Sequence, residues 1–224
     1  MRRLLLACLG AAALAGCGVI PHGKGEAKLW ITRDRGASVV LVKKVKAGQT
    51  AMAALQDVAK VKTRYGGRFV QSIDGVSGSL SQHRDWFYFV NGYEADRGAS
   101  DYTLHDGDVE WWDYRSWKGP AMHVPVVVGA FPEPFLHGYD GKRRPAVVVS
   151  SDRVAGRRLA GLVRGRWARP GAALPSNANV LVLRSGPTGF SARPAGQAVH
   201  MTFSGDWRRL LRGRYPFRFR YAVG

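Results

Sequence analysis

The stretch Trp86-Phe87-Tyr88-Phe89-Val90-Asn91-Gly92 decides the fold. Five aromatic or β-branched residues running into Asn-Gly read as a strand that stops at a tight turn. Alternation along that strand places Trp86, Tyr88 and Val90 on one face and Phe87 and Phe89 on the other. A second strand of the same kind, Val109–Tyr114, follows the turn Asp106-Gly107-Asp108. In it Glu110, Trp112 and Tyr114 oppose Val109, Trp111 and Asp113. Upstream, Lys28–Thr32 and Ser38–Val45 are predicted strands joined by Asp34-Arg35-Gly36. After Ala47-Gly48-Gln49, Thr50 suits a helix N-cap, and Met52, Leu55 and Val58-Ala59 hold helical spacing to Ala59. A further strand, Arg68–Ile73, ends at Asp74-Gly75.

Two strands, a helix and then more strands is the order of a β-grasp, in which a curved sheet wraps one helix. The run Ala47-Gly48-Gln49-Thr50 with Ala54-Leu55, then Phe69-Val70-Gln71-Ser72-Ile73-Asp74-Gly75 and the aromatic strand ending in Val90-Asn91-Gly92, resembles the transcobalamin C-terminal-like domain. Gly98-Ala99-Ser100-Asp101-Tyr102, Leu104 and Asp106-Gly107-Asp108-Val109-Glu110-Trp111 complete the resemblance, which covers roughly residues 27–115. In transcobalamin and intrinsic-factor proteins this domain is one of two that enclose cobalamin, and the larger helical one has no counterpart here. Bacterial members are often lipoproteins, and some accompany energy-coupling-factor vitamin transporters. The resemblance therefore implies a ligand-binding module with a corrinoid as one candidate ligand and a membrane transporter as a partner.

The N-terminus points the same way. Met1-Arg2-Arg3 is a positive n-region, and Leu4 to Ala15 is an apolar run too short to span a bilayer as a stable helix. It ends in Leu14-Ala15-Gly16-Cys17, which resembles the lipobox of bacterial lipoproteins. Residues 1–16 are the expected signal peptide, Cys17 the expected lipidation (palmitate) site, and residues 17–26 a tether. About ten flexible residues reach only ~17 Å on average, so the folded part is expected on the extracytoplasmic face, close to the membrane. Loss of Cys8 with the signal and acylation of Cys17 leave no thiol for a disulfide, zinc site or nucleophile.

Charge divides the chain. The formal net charge is +18, a balance that points to nucleic acid, anionic lipid or an acidic partner; export argues against nucleic acid. Residues 26–117 hold 13 basic and 12 acidic side chains, whereas residues 118–224 hold 18 basic, 16 of them Arg, against 4 acidic. Lys118-Gly119-Pro120 reads as the seam between a β-grasp-like domain, residues 27–117, and a small Arg-rich α/β domain, residues 121–224; the expected class is α+β. In the second domain His123–Gly129, Pro145–Ser150, Asn179–Arg184, Ala198–Phe203 and Phe217–Val223 read as strands. Ser151-Asp152 caps a helix carrying Ala155, Leu159, Leu162 and Val163 inward, and Asp206 caps a shorter one with Trp207, Leu210 and Leu211 inward.

Candidate ligand-binding residues are Trp86, Tyr88, Asn91, Tyr93, Trp112 and Tyr114, since flat rings with polar edges suit a ring ligand or sugar. The competing assignment is that these aromatics fill the core between sheet and helix. Candidate anion or partner contacts are Arg143, Arg144, Arg157 and Arg158. No cofactor and no metal are expected: Asp101, Asp106, Asp108, Glu110 and Asp113 lack EF-hand spacing, and the six histidines lack zinc spacing. No nucleophile elbow, phosphate loop or dinucleotide turn is present. Ser204-Gly205-Asp206 near His200 is explained more simply as a helix cap, so an enzyme is not expected. Two functions remain. One is a membrane-anchored ligand-binding lipoprotein accessory to corrinoid or other vitamin uptake. The other is a non-catalytic envelope scaffold whose Arg-rich domain docks anionic lipid, polymer or a membrane partner.

Overall fold

Strand β1 (Glu26–Arg33) is a central strand of the first sheet, and its two neighbours come from opposite ends of that sheet's sequence. The computed structural model describes residues 25–119, 122–212 and 217–223; the expected signal peptide, Cys17 and most of the tether lie outside them. On one side β1 pairs antiparallel with β2 (Ser38–Lys46), through the left-handed turn Asp34-Arg35-Gly36. On the other it pairs parallel with β8 (Val109–Ser116), Trp30 opposite Trp111. β8 then pairs antiparallel with β6 (Arg84–Val90), which turns at Asn91-Gly92 into the short β7 (Tyr93–Glu94). The order is β2-β1-β8-β6-β7.

Helix α1 (Ala51–Gln56) packs on one face of this sheet. Thr50 caps it as its sequence predicts, accepting the Ala53 N–H at 3.1 Å. The helix stops at Gln56 rather than Ala59, because Asp57 caps it and the Val58 and Ala59 N–H groups both close on Leu55 O; Val58 and Ala59 still pack on the core. A three-stranded sheet follows: β3 (Val61–Arg64), β4 (Phe69–Ile73) and β5 (Val76–Ser77).

The second sheet has the order β10-β9-β11-β13-β12. β9 (Ala146–Val149), β10 (Arg166–Ala168), β11 (Asn179–Arg184) and β13 (Ala198–Ser204) run parallel, and β12 (Gly189–Ala195) is an antiparallel edge. Pro194 is tolerated there because an edge strand has one side without ladder bonds. Helix α3 (Arg153–Leu162) crosses from β9 to β10, capped by Asp152 through the Val154 and Ala155 N–H groups. The molecule is thus a β-rich α+β protein.

Three expectations in this half are corrected. His123–Gly129 is not a strand: Pro125 lacks an N–H, Val126 makes a single bridge to Tyr93, Val127 N–H donates to Gly92 O, and residues 128–130 form a 3-10 turn. Phe217–Val223 is not a strand: its bridge to the sheet runs from Val223 to Phe190, and Phe219 N–H and Tyr221 O bond to Gly129 and Val128 of the 3-10 turn. In α4 (Arg208–Leu211), Leu210 is buried but Leu211 is exposed, since four residues make one turn with one inward position.

The other face of the first sheet has an apolar layer of its own: Trp30, Phe89, Val109 and Trp111 against Val127, Ala130 and Tyr221 of the segments before and after the second sheet. Its polar edge is Asp113. One carboxylate oxygen accepts from Thr32 Oγ1 and Gly36 N–H, the other from Arg35 N–H and Tyr221 O–H at 3.0 Å. Gly36 has to be glycine twice over: its φ is +76°, and a Cβ there would overlap the Phe219 carbonyl.

Candidate functional site

Beyond the Asn91-Gly92 turn, the chain leaves a cleft of about 350 Å³ between the two sheets. Tyr93 and Tyr139 form its floor, ring centroids 5.8 Å apart and edge-on. Tyr93 reaches it because Asn91 and Gly92 take φ +51° and +85°, the paired left-handed conformation of a two-residue hairpin. Tyr139 comes from the loop after α2 (Glu133–Leu136), where Gly138 also has positive φ. Tyr93 O–H donates to Asn179 Oδ1 at 3.4 Å, and burial pushes the phenol up to about 12, against smaller opposing effects of Asn179 and Arg144.

One wall is a chain of charges. Arg97 holds the Asp96 carboxylate through Nε at 2.8 Å and a terminal nitrogen at 3.2 Å, and Tyr139 O–H donates to the same group at 2.7 Å. These bonds, Arg97's first, hold Asp96 below the usual carboxylate range. Arg97 extends to Asp140 at 3.5 Å, and Lys142 lies 3.8 Å from Asp140. Across the cleft Arg144 donates to Gln197 Oε1, beside Pro194, Gly196 and Ala198. Asp96 and Asp140 are thus paired with cations of their own wall, whereas Arg144 faces a neutral amide. The cleft offers two ring edges and one cation, Arg144, held by a neutral amide, a setting for a ring-bearing small molecule with an anionic substituent.

The structure separates the residues predicted to bind a ligand. Trp86, Trp112 and Tyr114 are buried on the helix side of the first sheet, Trp86 and Tyr114 with centroids 5.2 Å apart. Tyr88 stacks on Trp112 at 4.8 Å and donates its hydroxyl to Arg97 O. These rings pack sheet against helix. Asn91 is buried as well: its Nδ2 donates to Asp108 Oδ1 at 2.6 Å and Gly138 O at 2.9 Å, and its Oδ1 accepts Val109 N–H at 2.8 Å. It ties the turn to β8 and to the second half. Among the six, Tyr93 lines the cleft.

The four predicted arginines also part company. Arg143 is spent on the carbonyls of Phe135, Val163 and Arg164, closing the C-terminal end of α3. Arg144 lines the cleft. Arg157 lies 6.0 Å from the Trp167 ring centroid, and Arg158 is exposed on α3. Asp96, Arg97, Tyr139, Asp140, Lys142 and Gln197 escaped the sequence reading, because residues 43 to about 100 positions apart converge with no shared local pattern.

Among the described residues no group of three His, Cys, Asp or Glu is placed to hold a metal. Four of the five clustered acids have partners of their own: Asp106 takes Glu26 N–H, Asp108 takes Asn91 and His105 N–H, Glu110 takes Trp112 Nε1, and Asp113 takes Thr32 and Tyr221. His200 meets Arg193, Ser204 Oγ donates to Pro187 O, and Asp206 accepts Arg208 N–H.

Residues 48–116 match the family described as Domain of unknown function (DUF4430), inside the stretch whose motifs resemble the transcobalamin C-terminal-like domain. No curated protein matches the chain. Among solved structures, the chain is similar to a candidate metal-binding protein from Ruminococcus gnavus, at 12% identity and TM-score 0.35, over 42% of this chain and 98% of that one. It is also similar to haptocorrin in complex with Cbi, at 13% identity and TM-score 0.34, over 40% of this chain; the match spans 24% of haptocorrin's own length.

Proposed function

We propose that this protein is a non-catalytic, extracytoplasmic lipoprotein that binds a small ligand in the cleft between its two sheets and hands it to a membrane transporter. The observation that carries the ligand-binding reading is the cleft itself: tyrosine edges, a self-paired charged wall, and Arg144 facing the neutral amide of Gln197 across it. The lipobox-like Leu14-Ala15-Gly16-Cys17 supports anchoring at the cell membrane. The β-grasp reading of the first unit is supported by the parallel pairing of its first and last long strands and by the single helix on one face.

A corrinoid is the candidate that the motif resemblance brings. A cleft of about 350 Å³ is at the small end for ligand sites, so a corrinoid would lay one edge, with its amide arms, against Tyr93 and Arg144. Titrating the chain with corrinoids and with small ring-bearing carboxylates and phosphates, by tryptophan fluorescence and calorimetry, tests this. Micromolar binding that Tyr93→Ala and Arg144→Gln each weaken at least tenfold supports the site. Absence of binding by every ligand tried would remove the ligand-binding reading and leave the envelope scaffold, to which exposed Arg158 and its neighbours on α3 lend support.

A further inference from the structure

The hairpin joining β3 to β4 lies outside the cleft and has a chemistry of its own. From Val58 to Ile73 the sequence carries Lys60, Lys62, Arg64 and Arg68 and no acid. At the tip Tyr65 is 78% exposed and Phe69 41%, their ring centroids 6.3 Å apart and edge-on. Tyr65 has φ +52°, followed by Gly66 and Gly67 at +67° and +91°, with open space around both glycines. In the register of the pair, Arg64 stands opposite Phe69, and Lys62, Arg64 and Arg68 are exposed.

We propose that this hairpin tip is a membrane-contact element: Tyr65 and Phe69 enter the headgroup layer of an anionic bilayer while Lys62, Arg64 and Arg68 meet its phosphates. Tyrosine has an apolar body and a polar end suited to that layer. A cluster of cations with no acid in its own segment is drawn to a negative surface. Shape favours lipid over nucleic acid, because base stacking uses rings laid on a platform along a groove, whereas these rings crown a convex tip.

Position agrees. Ser100 Oγ donates to Gly67 O at 3.0 Å, and at the other end of the same segment Asp106 accepts Glu26 N–H, where the described chain begins. Seven residues link these points, a span of at most about 25 Å even if extended. A lipid on Cys17 would therefore hold the hairpin near a bilayer, although the contact proposed here does not require the lipid.

The test uses a chain beginning at Gly18, which keeps every described residue and has no cysteine. A single cysteine, Tyr65→Cys or Phe69→Cys, carries an environment-sensitive dye, with Ser191→Cys as a reference on β12. On vesicles of phosphatidylcholine with phosphatidylglycerol, dye emission at 65 and 69 should rise several-fold and shift to the blue. It should stay flat at 191 and on phosphatidylcholine alone. Arg64→Gln with Arg68→Gln should reduce the response, and unlabelled Tyr65→Ser with Phe69→Ser should lower vesicle affinity without changing thermal unfolding. A flat signal at 65 and 69 on vesicles that the chain nevertheless sediments with would overturn the proposal and assign lipid binding to the Arg-rich half. A response to single-stranded oligonucleotides and none to vesicles would overturn it equally.

Discussion

The two sheets handle charge in opposite ways. The first unit is almost neutral, yet it buries Asp108, Glu110, Asp113 and Arg115 completely or nearly so. The second carries most of the net charge and buries an aliphatic and phenylalanine core, its arginines lying at the surface or on backbone carbonyls. Net charge therefore says little about where electrostatics matter for stability. In the first sheet Asp113 fixes a junction, gathering Thr32, the β1–β2 turn and Tyr221. Arg115 lies 3.7 Å from the Phe87 ring centroid and reaches Met122 O and Glu94. In the second sheet specificity comes from parallel register and shape.

Substitutions can break that contrast. Asp113→Ala takes the shared acceptor from four donors, three of them buried, and should destabilise the chain by about 3–5 kcal/mol, seen as a large drop in the urea midpoint. Leu181→Ala, at a fully buried position of β11, removes only apolar contacts and should cost about 2–4 kcal/mol. If Asp113→Ala proves milder than Leu181→Ala, the junction argument is wrong.

Glu110 sharpens the contrast through pH. Burial, the dominant cause, raises its carboxyl well above the ordinary range against a smaller lowering by the Trp112 hydrogen bond. With the folded value above the unfolded one, the native state holds the proton longer. The stabilising contribution is then fully present below the ordinary carboxylate range. It is lost as pH rises through the raised value, at about 1.4 kcal/mol per pH unit. Glu110→Gln should therefore unfold at higher urea than the parent at pH 7, and the gap should close near pH 4. A gap that does not vary with pH would sink this account. Smallest of all, Asp152→Ala removes the α3 cap and should cost about 1 kcal/mol, readable as a modest fall in Tm.

The elements of the first unit were legible because their punctuation is local. Asn91-Gly92, Asp34-Arg35-Gly36 and Thr50 each act within four residues, and the structure places a turn or cap at all three. The same local signals say nothing of what covers the strand. An aromatic strand ending in Val90-Asn91-Gly92 looks like a recognition surface, but helix α1 covers one face and Val127, Ala130 and Tyr221 the other, and that depends on partners far along the chain. The cleft was illegible for the same reason: Asp96–Arg97, Asp140–Lys142 and Gln197 meet only once both sheets are built. Pro125 misled on a smaller scale, since the valines beside it read as a strand whose bonds go to the seam instead.

The parallel pairing of β1 with β8 has a consequence in time. Trp30 finds Trp111 only after some eighty further residues exist, and the underside of that sheet is sealed by Tyr221, a further 110 positions along. Contacts so distant in sequence close slowly, so the β1–β8 pairing and the seal beneath it form after the local β1–β2 hairpin.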